Sequence, residues 1–468
     1  MKTRPEKPAK DQPKSRETAA RQTRHDKFKR VWFVGAGFSS AVGYPLGNAL
    51  VSELIAYLEG DQHGVLRTAP PKIKSAFSNE LVKLCNKAKR DALLKRIDAF
   101  ARKYVGRKRS SLQGVNVAEF FSIAQALAEA HGPFGIDGPP VREADRSLPT
   151  GDDPADFRTL FYDLAAITRS YFVDICTAAD DAWPGDFSSV MRGLAPDTDA
   201  LVNFNWDEEI DCYLYSRRDP ENPKVEYDVA YTLASREKDN FLMLKPHGSI
   251  GWYDASQCIG NEDLYFVADQ YDDRIARFDK RLIYFAEVDR PQDLEDQELE
   301  YAMECPPVIT PPTFGKRFPY AEQHVIWNDV LEVCRSADEF VFLGYSVPPD
   351  DFLTRAAIRF ALDERERRRP TNGRDPIRCL VVTKFDDSDF NAMSTIVKNF
   401  WDVFGTGFGQ RNLLSWTFGE PAPTANRAPP AKAAAKRKPA PKDSPAKADL
   451  FTEIVRRLHS ASVQDLPV

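Results

Sequence analysis

The chain has 468 residues, of which 42% are hydrophobic, and a net charge of −6. This length allows one large domain with insertions or two to three domains, and the hydrophobic content is ample for a sizeable core. No apolar run approaches the ~20 residues that cross a bilayer, and the first residues carry charges instead of the apolar segment of a secretory signal. The seven cysteines are scattered without a Cys-x-x-Cys pair, which argues against a zinc ribbon or disulfide scaffold and favours a cytoplasmic location.

The charge is unevenly distributed along the chain. Residues 1–30 sum to +7 and residues 421–447 to +6, so residues 31–420 carry −18. An acidic body argues against a nucleic-acid-binding core. We expect a disordered basic tail at 1–28, a Pro-, Ala- and Lys-rich linker at 421–447, and a core that folds without either end. Binding of nucleic acid by these basic segments, or their folding back on the acidic body, is the alternative.

Residues 30–58 read as a strand, a glycine turn and a helix. The apolar run from Arg30 to Val34 leads into Gly35-Ala36-Gly37-Phe38-Ser39, and a helical pattern extends from Leu46 to Leu58. Such a turn lets backbone N–H groups approach a phosphate beside a helix N-terminus, and it predicts a phosphate or dinucleotide loop. Ser40 stands where Gly-x-Gly-x-x-Gly requires its third glycine, which argues against a hydride-transfer dehydrogenase. An ordinary tight strand–helix turn is the alternative.

The next region reads mainly as helices and separates the first strand from the second. Periodic apolar residues predict helices at 72–104, 117–130 and 157–178. We therefore expect a helical insertion at about 60–195 within a larger domain that spans 29–420.

Strands and helices alternate through the rest of that domain. The pattern predicts strands at 199–204, 240–245, 264–267, 282–285, 308–310, 339–343 and 377–383, and helices at 321–336 and 350–367. This order predicts an α/β fold, a Rossmann-like parallel sheet with helices on both faces, completed by its last strand at 377–383. Apolar residues at helical spacing then predict a short amphipathic helix at 448–460, which docks on this chain or on a partner.

Polar clusters follow four of the predicted strands. They are Gly35–Ser40, Asn205 with Asp207, His247–Ser249, and Gly344–Ser346. A single histidine after a strand is usually structural, and a single Asn-x-Asp before a helix is usually a cap. Because ligands of open α/β sheets bind at the carboxyl edge, four such clusters together predict a binding site there.

The order of these motifs resembles the sirtuin catalytic core, which carries Gly-Ala-Gly-Ile-Ser, Gln-Asn-Ile-Asp, a catalytic His-Gly and Gly-Thr-Ser. The bacterial sirtuin-like branch is more similar, with Gly-x-Pro, Asn-Tyr-Asp, Leu-His-Gly-Ser and Gly-Tyr-Ser-Leu-Pro. The matching stretches here are Gly43-Tyr44-Pro45, Asn205-Trp206-Asp207, Pro246-His247-Gly248-Ser249 and Gly344-Tyr345-Ser346-Val347-Pro348. The resemblance covers roughly residues 30–385.

The resemblance implies NAD as the substrate and a role for each motif. Asn205 would position water or the nicotinamide ribose, Asp207 would order that loop or contact the nicotinamide, and His247 would act as a general base. The pyrophosphate would be held by Gly35, Ala36, Gly37, Phe38 and Ser39. The adenosine half would be contacted by Gly344, Tyr345 and Ser346.

Two departures from the sirtuin pattern argue against protein deacylation. Leu46-Gly47-Asn48 stands where deacylating sirtuins carry Asp-Phe-Arg, and the cysteine pairs of their zinc module are missing. We therefore predict a metal-free NAD hydrolase that releases nicotinamide and ADP-ribose, and the resemblance implies an antiphage-defence effector that depletes NAD. The alternatives are an NAD-dependent deacylase or ADP-ribosyltransferase, and a non-catalytic NAD or ADP-ribose sensor. Further expectations are an activating protein or nucleic acid, a homo-oligomer and no membrane association.

Overall fold

The computed structural model of the protein describes residues 28–59, 87–131, 157, 160–178, 184–216, 229–234, 236, 240–254, 275–278, 281–285, 307–310, 321–349, 351–368, 377–384, 390–405, 408–416, 449–459 and 461–463. The predicted linker, the predicted strand at 264–267 and nearly all of the predicted basic tail lie outside these residues. Phe28, the last residue assigned to that tail, is instead buried in the core, with the Arg236 guanidinium over its ring.

Seven parallel strands form the central sheet, which confirms the predicted Rossmann-like α/β fold. They are β1 (Arg30–Val34), β2 (Asp199–Asn203), β3 (Val229–Ala230), β4 (Phe241–Leu244), β9 (Glu339–Leu343), β10 (Ile377–Thr383) and β11 (Leu413–Ser415), with strands numbered in chain order. Their spatial order is β11-β10-β9-β1-β2-β4-β3. Runs such as Val31-Trp32-Phe33-Val34 form the middle of the sheet because a parallel strand covered on both faces has no polar side.

A second sheet of four antiparallel strands follows the central one along the chain. Its strands are β5 (Gly248–Asp254), β6 (Ile275–Phe278), β7 (Arg281–Phe285) and β8 (Pro307–Ile309), in the spatial order β6-β7-β5-β8. The sequence predicted strands at the positions of β7 and β8. It did not predict β5, which begins inside the His-Gly-Ser motif.

Helices cover both faces of the parallel sheet. The α-helices of the described residues are α1 (Ala36–Ser39), α2 (Gly47–Glu59), α3 (Lys87–Phe100), α4 (Val117–His131), α5 (Leu160–Ala178), α6 (Gly185–Gly193), α7 (Glu209–Ser216), α8 (Ala321–Ser336), α9 (Phe352–Arg368), α10 (Phe390–Phe404) and α11 (Leu450–Leu458). Helices α8, α9 and α10 pack on the face that carries Val31 and Phe33, and α6, α7 and α11 pack on the face that carries Trp32 and Val34. None of the helices in the described ranges is both long and apolar enough to span a membrane.

A separate hydrophobic cluster joins α2 to α3, α4 and α5, which all lie between β1 and β2 in the sequence. A buried ion pair crosses it, with Arg96 donating to Asp163 at 2.8 Å. Trp206 and Ile250 also belong to this cluster, so the helices pack directly behind the loop after β2 and the strand β5.

One sequence-based expectation about the C-terminal part was wrong. The sheet does not end at β10, since α10 and β11 follow, and β12 (Ser462–Val463) pairs antiparallel with β10. The amphipathic helix α11 docks on this chain, where Leu450, Ile454 and Leu458 are buried. This docking is one of the two alternatives that the sequence allowed, and folding of the core without this segment stays a prediction.

Candidate functional site

The strand order creates a topological switch point beside β1. The next strand of the sheet along the chain, β2, lies on one side of β1, and β9 lies on the other side. The loops after β1 and β9 are therefore neighbours: the Gly35 N–H donates to Leu343 O and the Gly37 N–H to Gly344 O, both at 3.0 Å. Ligands of open α/β sheets bind in the crevice at such a point.

Three glycines allow these two loops to touch. A Cβ added to Gly37 would lie 2.8 Å from the Gly344 Cα, and one on Gly35 would lie 2.7 Å from the Tyr345 Cβ. Gly344 has φ of +59°, and its Cβ would lie 2.2 Å from the Phe38 nitrogen. The glycines read as a phosphate loop thus also have a packing role that the sequence did not reveal.

The residues of the predicted pyrophosphate loop differ in their exposure to solvent. Ala36 and Gly37 are half-buried, whereas Phe38 and Ser39 are buried. The Phe38 ring packs on Phe187 of α6, with ring centroids 4.8 Å apart. Phe38 thus belongs to the core of one face of the sheet, and its side chain does not form part of the exposed loop surface.

Asn205 connects the loop after β2 to the loop after β1. Its side-chain Nδ2 donates to Ser39 Oγ at 2.7 Å, and its backbone N–H donates to Asn203 Oδ1 at 3.0 Å. The residue remains half-buried. The structure therefore brings two of the four sequence motifs into direct contact through a side chain that also meets solvent.

Asp207 lies deeper than Asn205 and orders the start of α7. Its Oδ1 accepts the Glu209 N–H at 3.3 Å, and the Ser39 side chain is hydrogen-bonded to the same carboxylate. Burial raises the pKa of Asp207, and the nearby Lys245 ammonium opposes that rise. This geometry is that of a loop-ordering side chain.

His247 follows β4 and is held by a backbone contact to the neighbouring loop. Its Nδ1 lies 3.2 Å from the Phe204 carbonyl oxygen. Because a carbonyl only accepts, Nδ1 carries the hydrogen and the lone pair of the neutral ring is on Nε2. The backbone oxygen of His247 accepts the Thr310 N–H at 2.8 Å, which ties this loop to β8.

An aromatic cluster packs around His247. The Phe204 ring centroid lies 5.2 Å from that of His247 and 4.6 Å from that of Tyr345, and Trp327 of α8 lies 6.1 Å from His247. The Tyr345 hydroxyl donates to Asp351, which precedes α9. Tyr345 is buried, so the ring that the resemblance assigned to the adenosine half packs against the loop after β2.

Ser346 and Val347 complete the loop after β9. Ser346 is half-buried, and its backbone oxygen accepts from Asn399 Nδ2 at 3.3 Å. Val347 has φ of +47°, a left-handed conformation that is strained for a β-branched residue. Strain of this kind costs of order 1–3 kcal/mol and clusters at functional sites.

No family model matches the chain, and no curated protein matches it. The resemblance to sirtuins therefore stays one of short motifs in a common order. Within the residues that the structure describes, no group of three or more His, Cys, Asp or Glu side chains is placed to hold a metal ion. The prediction of a zinc-free protein stays a prediction.

Sequence reasoning missed Lys245, the residue after β4. Its ammonium is fully buried and donates to Asp207 O at 2.8 Å, to Asp211 Oδ2 at 3.0 Å and to Ser249 Oγ at 2.7 Å. The available signal was a lysine that follows an apolar strand and directly precedes Pro246-His247. A lysine is almost never fully buried unless it is paired.

Proposed function

We propose that the protein binds NAD at the carboxyl edge of the parallel sheet and hydrolyses the nicotinamide–ribose bond, giving nicotinamide and ADP-ribose. The observation that carries this proposal is the 2.7 Å hydrogen bond from Asn205 Nδ2 to Ser39 Oγ beside the switch point. It supports the proposal because it joins the glycine loop to a partly exposed amide that is held in one orientation. Such a group is suited to position a water molecule or a ribose hydroxyl.

The residues at this edge fit a dinucleotide. Ala36, Gly37, Asn205 and Ser346 are partly exposed and lie on loops that contact one another. The Gly35 and Gly37 N–H groups are bonded to carbonyl oxygens at the end of β9 and in the loop after it, so small side chains at this switch point, rather than these two amides, would line a pyrophosphate. By the resemblance described above, the same reaction would deplete cellular NAD after phage infection.

The chemistry requires one nucleophile and one base. When the bond breaks, its electron pair leaves with nicotinamide, and positive charge develops on the ribose. Water then adds to the ribose carbon and loses one proton. Asn205 would orient this water, and the His247 Nε2 lone pair would accept the proton, directly or through a ribose hydroxyl. General base catalysis of this kind contributes typically ~10²–10⁴-fold.

Product chromatography after incubation with NAD tests the proposal, with and without nucleic acid as a trigger. Asn205→Ala and His247→Ala should each lower nicotinamide release by about 100-fold or more while the protein stays folded. The matched control is Asn116→Ala, since the Asn116 Oδ1 accepts the Ala118 N–H at 2.8 Å at the start of α4. We expect this control to cost about 1 kcal/mol of stability and to leave turnover unchanged.

Other products would contradict hydrolysis and identify the alternatives. NAD consumption only in the presence of an acetyl-peptide would assign a deacylase, and ADP-ribose attached to a protein would assign a transferase. Tight NAD binding by the triggered protein without any nicotinamide release would assign a sensor.

A further inference from the structure

Two loops carry the residues to which the proposed function assigns the chemistry. Asn205 lies in the loop between β2 and α7, and His247 lies in the loop between β4 and β5. These loops meet at Lys245, the first residue after β4, whose ammonium donates to the Asp207 carbonyl oxygen of the first loop and to Ser249 Oγ near the start of β5. Lys245, itself part of the second loop, thus bonds that loop to the first loop and to the start of β5.

Ser249 extends the connection between the loops. Its Oγ lies within hydrogen-bond distance of Trp206 O at 3.3 Å and of Glu208 Oε1 at 3.2 Å. The next residue, Ile250, donates its N–H to the same Trp206 carbonyl at 2.9 Å. All of these bonds run from residues 245–250 to residues 206–208, so the two loops are joined by a continuous network.

The charges around this network make the lysine difficult to replace. The carboxylates of Asp207, Glu208, Glu209 and Asp211 are all buried. Burial lowers the pKa of Lys245, but the neighbouring carboxylates of Asp211, Glu208 and Asp207 together raise it above its ordinary value. The ammonium therefore stays charged and offsets the mutual repulsion of these acids.

We propose that Lys245 and Ser249 are positioning residues that clamp the loop of Asn205 to the loop of His247, so that the amide and the imidazole keep a constant separation. This inference rests on the proposed function for its catalytic consequence. Neither residue touches the reacting atoms in the proposal. A misplacement of about 1 Å between reacting groups can cost about 100-fold in rate, which is the effect that the clamp would prevent.

Ser249→Ala is the informative variant. Lys245→Met would leave buried carboxylates without their cation and would destabilise the fold itself. Ser249→Ala removes one hydroxyl and its bonds between the loops. The matched control is Ser170→Ala, because Ser170 is also buried and its hydroxyl donates to Ala166 O within α5 at 3.0 Å.

The experiment combines steady-state kinetics on NAD with amide hydrogen exchange of Ile250. We expect Ser249→Ala to lower kcat by about 10-fold with little change in KM, and to speed exchange of the Ile250 amide by about 10-fold. Ser170→Ala should change neither value. A Ser249→Ala enzyme with wild-type kcat would overturn the inference, as would an equal loss of kcat in both variants.

The two proposals can fail separately. If the triggered wild-type protein releases no nicotinamide, the proposed function fails and hydrogen exchange alone decides the clamp. Faster exchange of Ile250 in Ser249→Ala than in Ser170→Ala would then support it, and equal exchange in the two variants would reject it.

Discussion

Asp329 on α8 shows how burial acts on one carboxyl group. Its Oδ2 accepts the Leu233 N–H at 2.9 Å. Burial raises the pKa of Asp329 to about 6, and the nearby Glu332 adds to the rise. Because the folded protein holds this proton more tightly than the unfolded chain does, stability falls as the pH rises from about 4 to about 6.

Asp329→Asn should therefore stabilise the protein near neutral pH. The amide keeps an oxygen for the Leu233 N–H and carries no charge. We expect the free energy of unfolding to rise by about 1–2 kcal/mol at about pH 7.5, after allowance for solvent screening, and the gain to shrink towards pH 4. Urea unfolding at both pH values measures it, with the exposed Asp91→Asn on α3 as control. An equal gain in the free energy of unfolding at both pH values would refute the raised pKa of Asp329.

At the scale of one element, α11 is held on the sheet by its buried apolar face and by the ring of Phe451. Phe451 stacks on Trp32 of β1, with ring centroids 5.9 Å apart. Its ring also covers Gly193 at the end of α6, where an added Cβ would meet the ring atoms at 2.3 Å. The absence of a side chain at Gly193 is thus what lets α11 approach the sheet.

Gly193→Ala should destabilise the protein although alanine favours helices. The new methyl group would displace Phe451, and overpacking of this kind costs about 1–3 kcal/mol. Gly185→Ala is the matched control at the other end of α6, where nothing lies within 4 Å of an added Cβ. Urea unfolding and hydrogen exchange of the α11 amides would report the difference. Equal stability of the two variants would show that α11 does not depend on this contact.

Across the whole molecule, the two edges of the parallel sheet have different roles, one in the candidate site and one in stability. The candidate site occupies the carboxyl edge, and a buried charge cluster joins the amino ends of the central strands. Arg30 of β1 donates to Glu339 of β9 at 2.9 Å and lies 3.8 Å from Asp199 of β2. These residues are direct partners in the strand register, so one side chain ties three neighbouring strands together.

Arg30→Met should unfold the protein more easily without changing its chemistry. The variant leaves the buried Asp199 carboxylate without its cation and Glu339 with Arg378 alone, which costs about 3–5 kcal/mol. Arg378→Met is the control, because Arg378 pairs with the same Glu339 at 3.0 Å but is one-third exposed, and its loss should cost about 1 kcal/mol or less. Denaturant midpoints measure both losses. Similar midpoints for the two variants would contradict this account, as would a changed rate of the proposed NAD hydrolysis in folded Arg30→Met.

The local sequence pattern was sufficient to predict the central strands, but it did not predict several of the other elements. The sequence predicted β9 and β10 with the bounds that the structure has, because an apolar run between turns is typical of a buried parallel strand. It missed β5, which begins with Gly248-Ser249, and β11, which has three residues. It also missed α10, although Met393, Ile396, Val397 and Phe400 stand at helical spacing there.

The sequence by itself determined the α/β class and the polar residues that end each strand, since both follow from residue type and short-range periodicity. Only the tertiary structure decided which strand ends are neighbours. Sheet order brings Asn205 to Ser39 and Lys245 to Ser249 and Asp207. Periodicity describes one segment at a time, whereas these contacts depend on how distant segments pack, which is also why only the structure shows that α11 docks on its own chain.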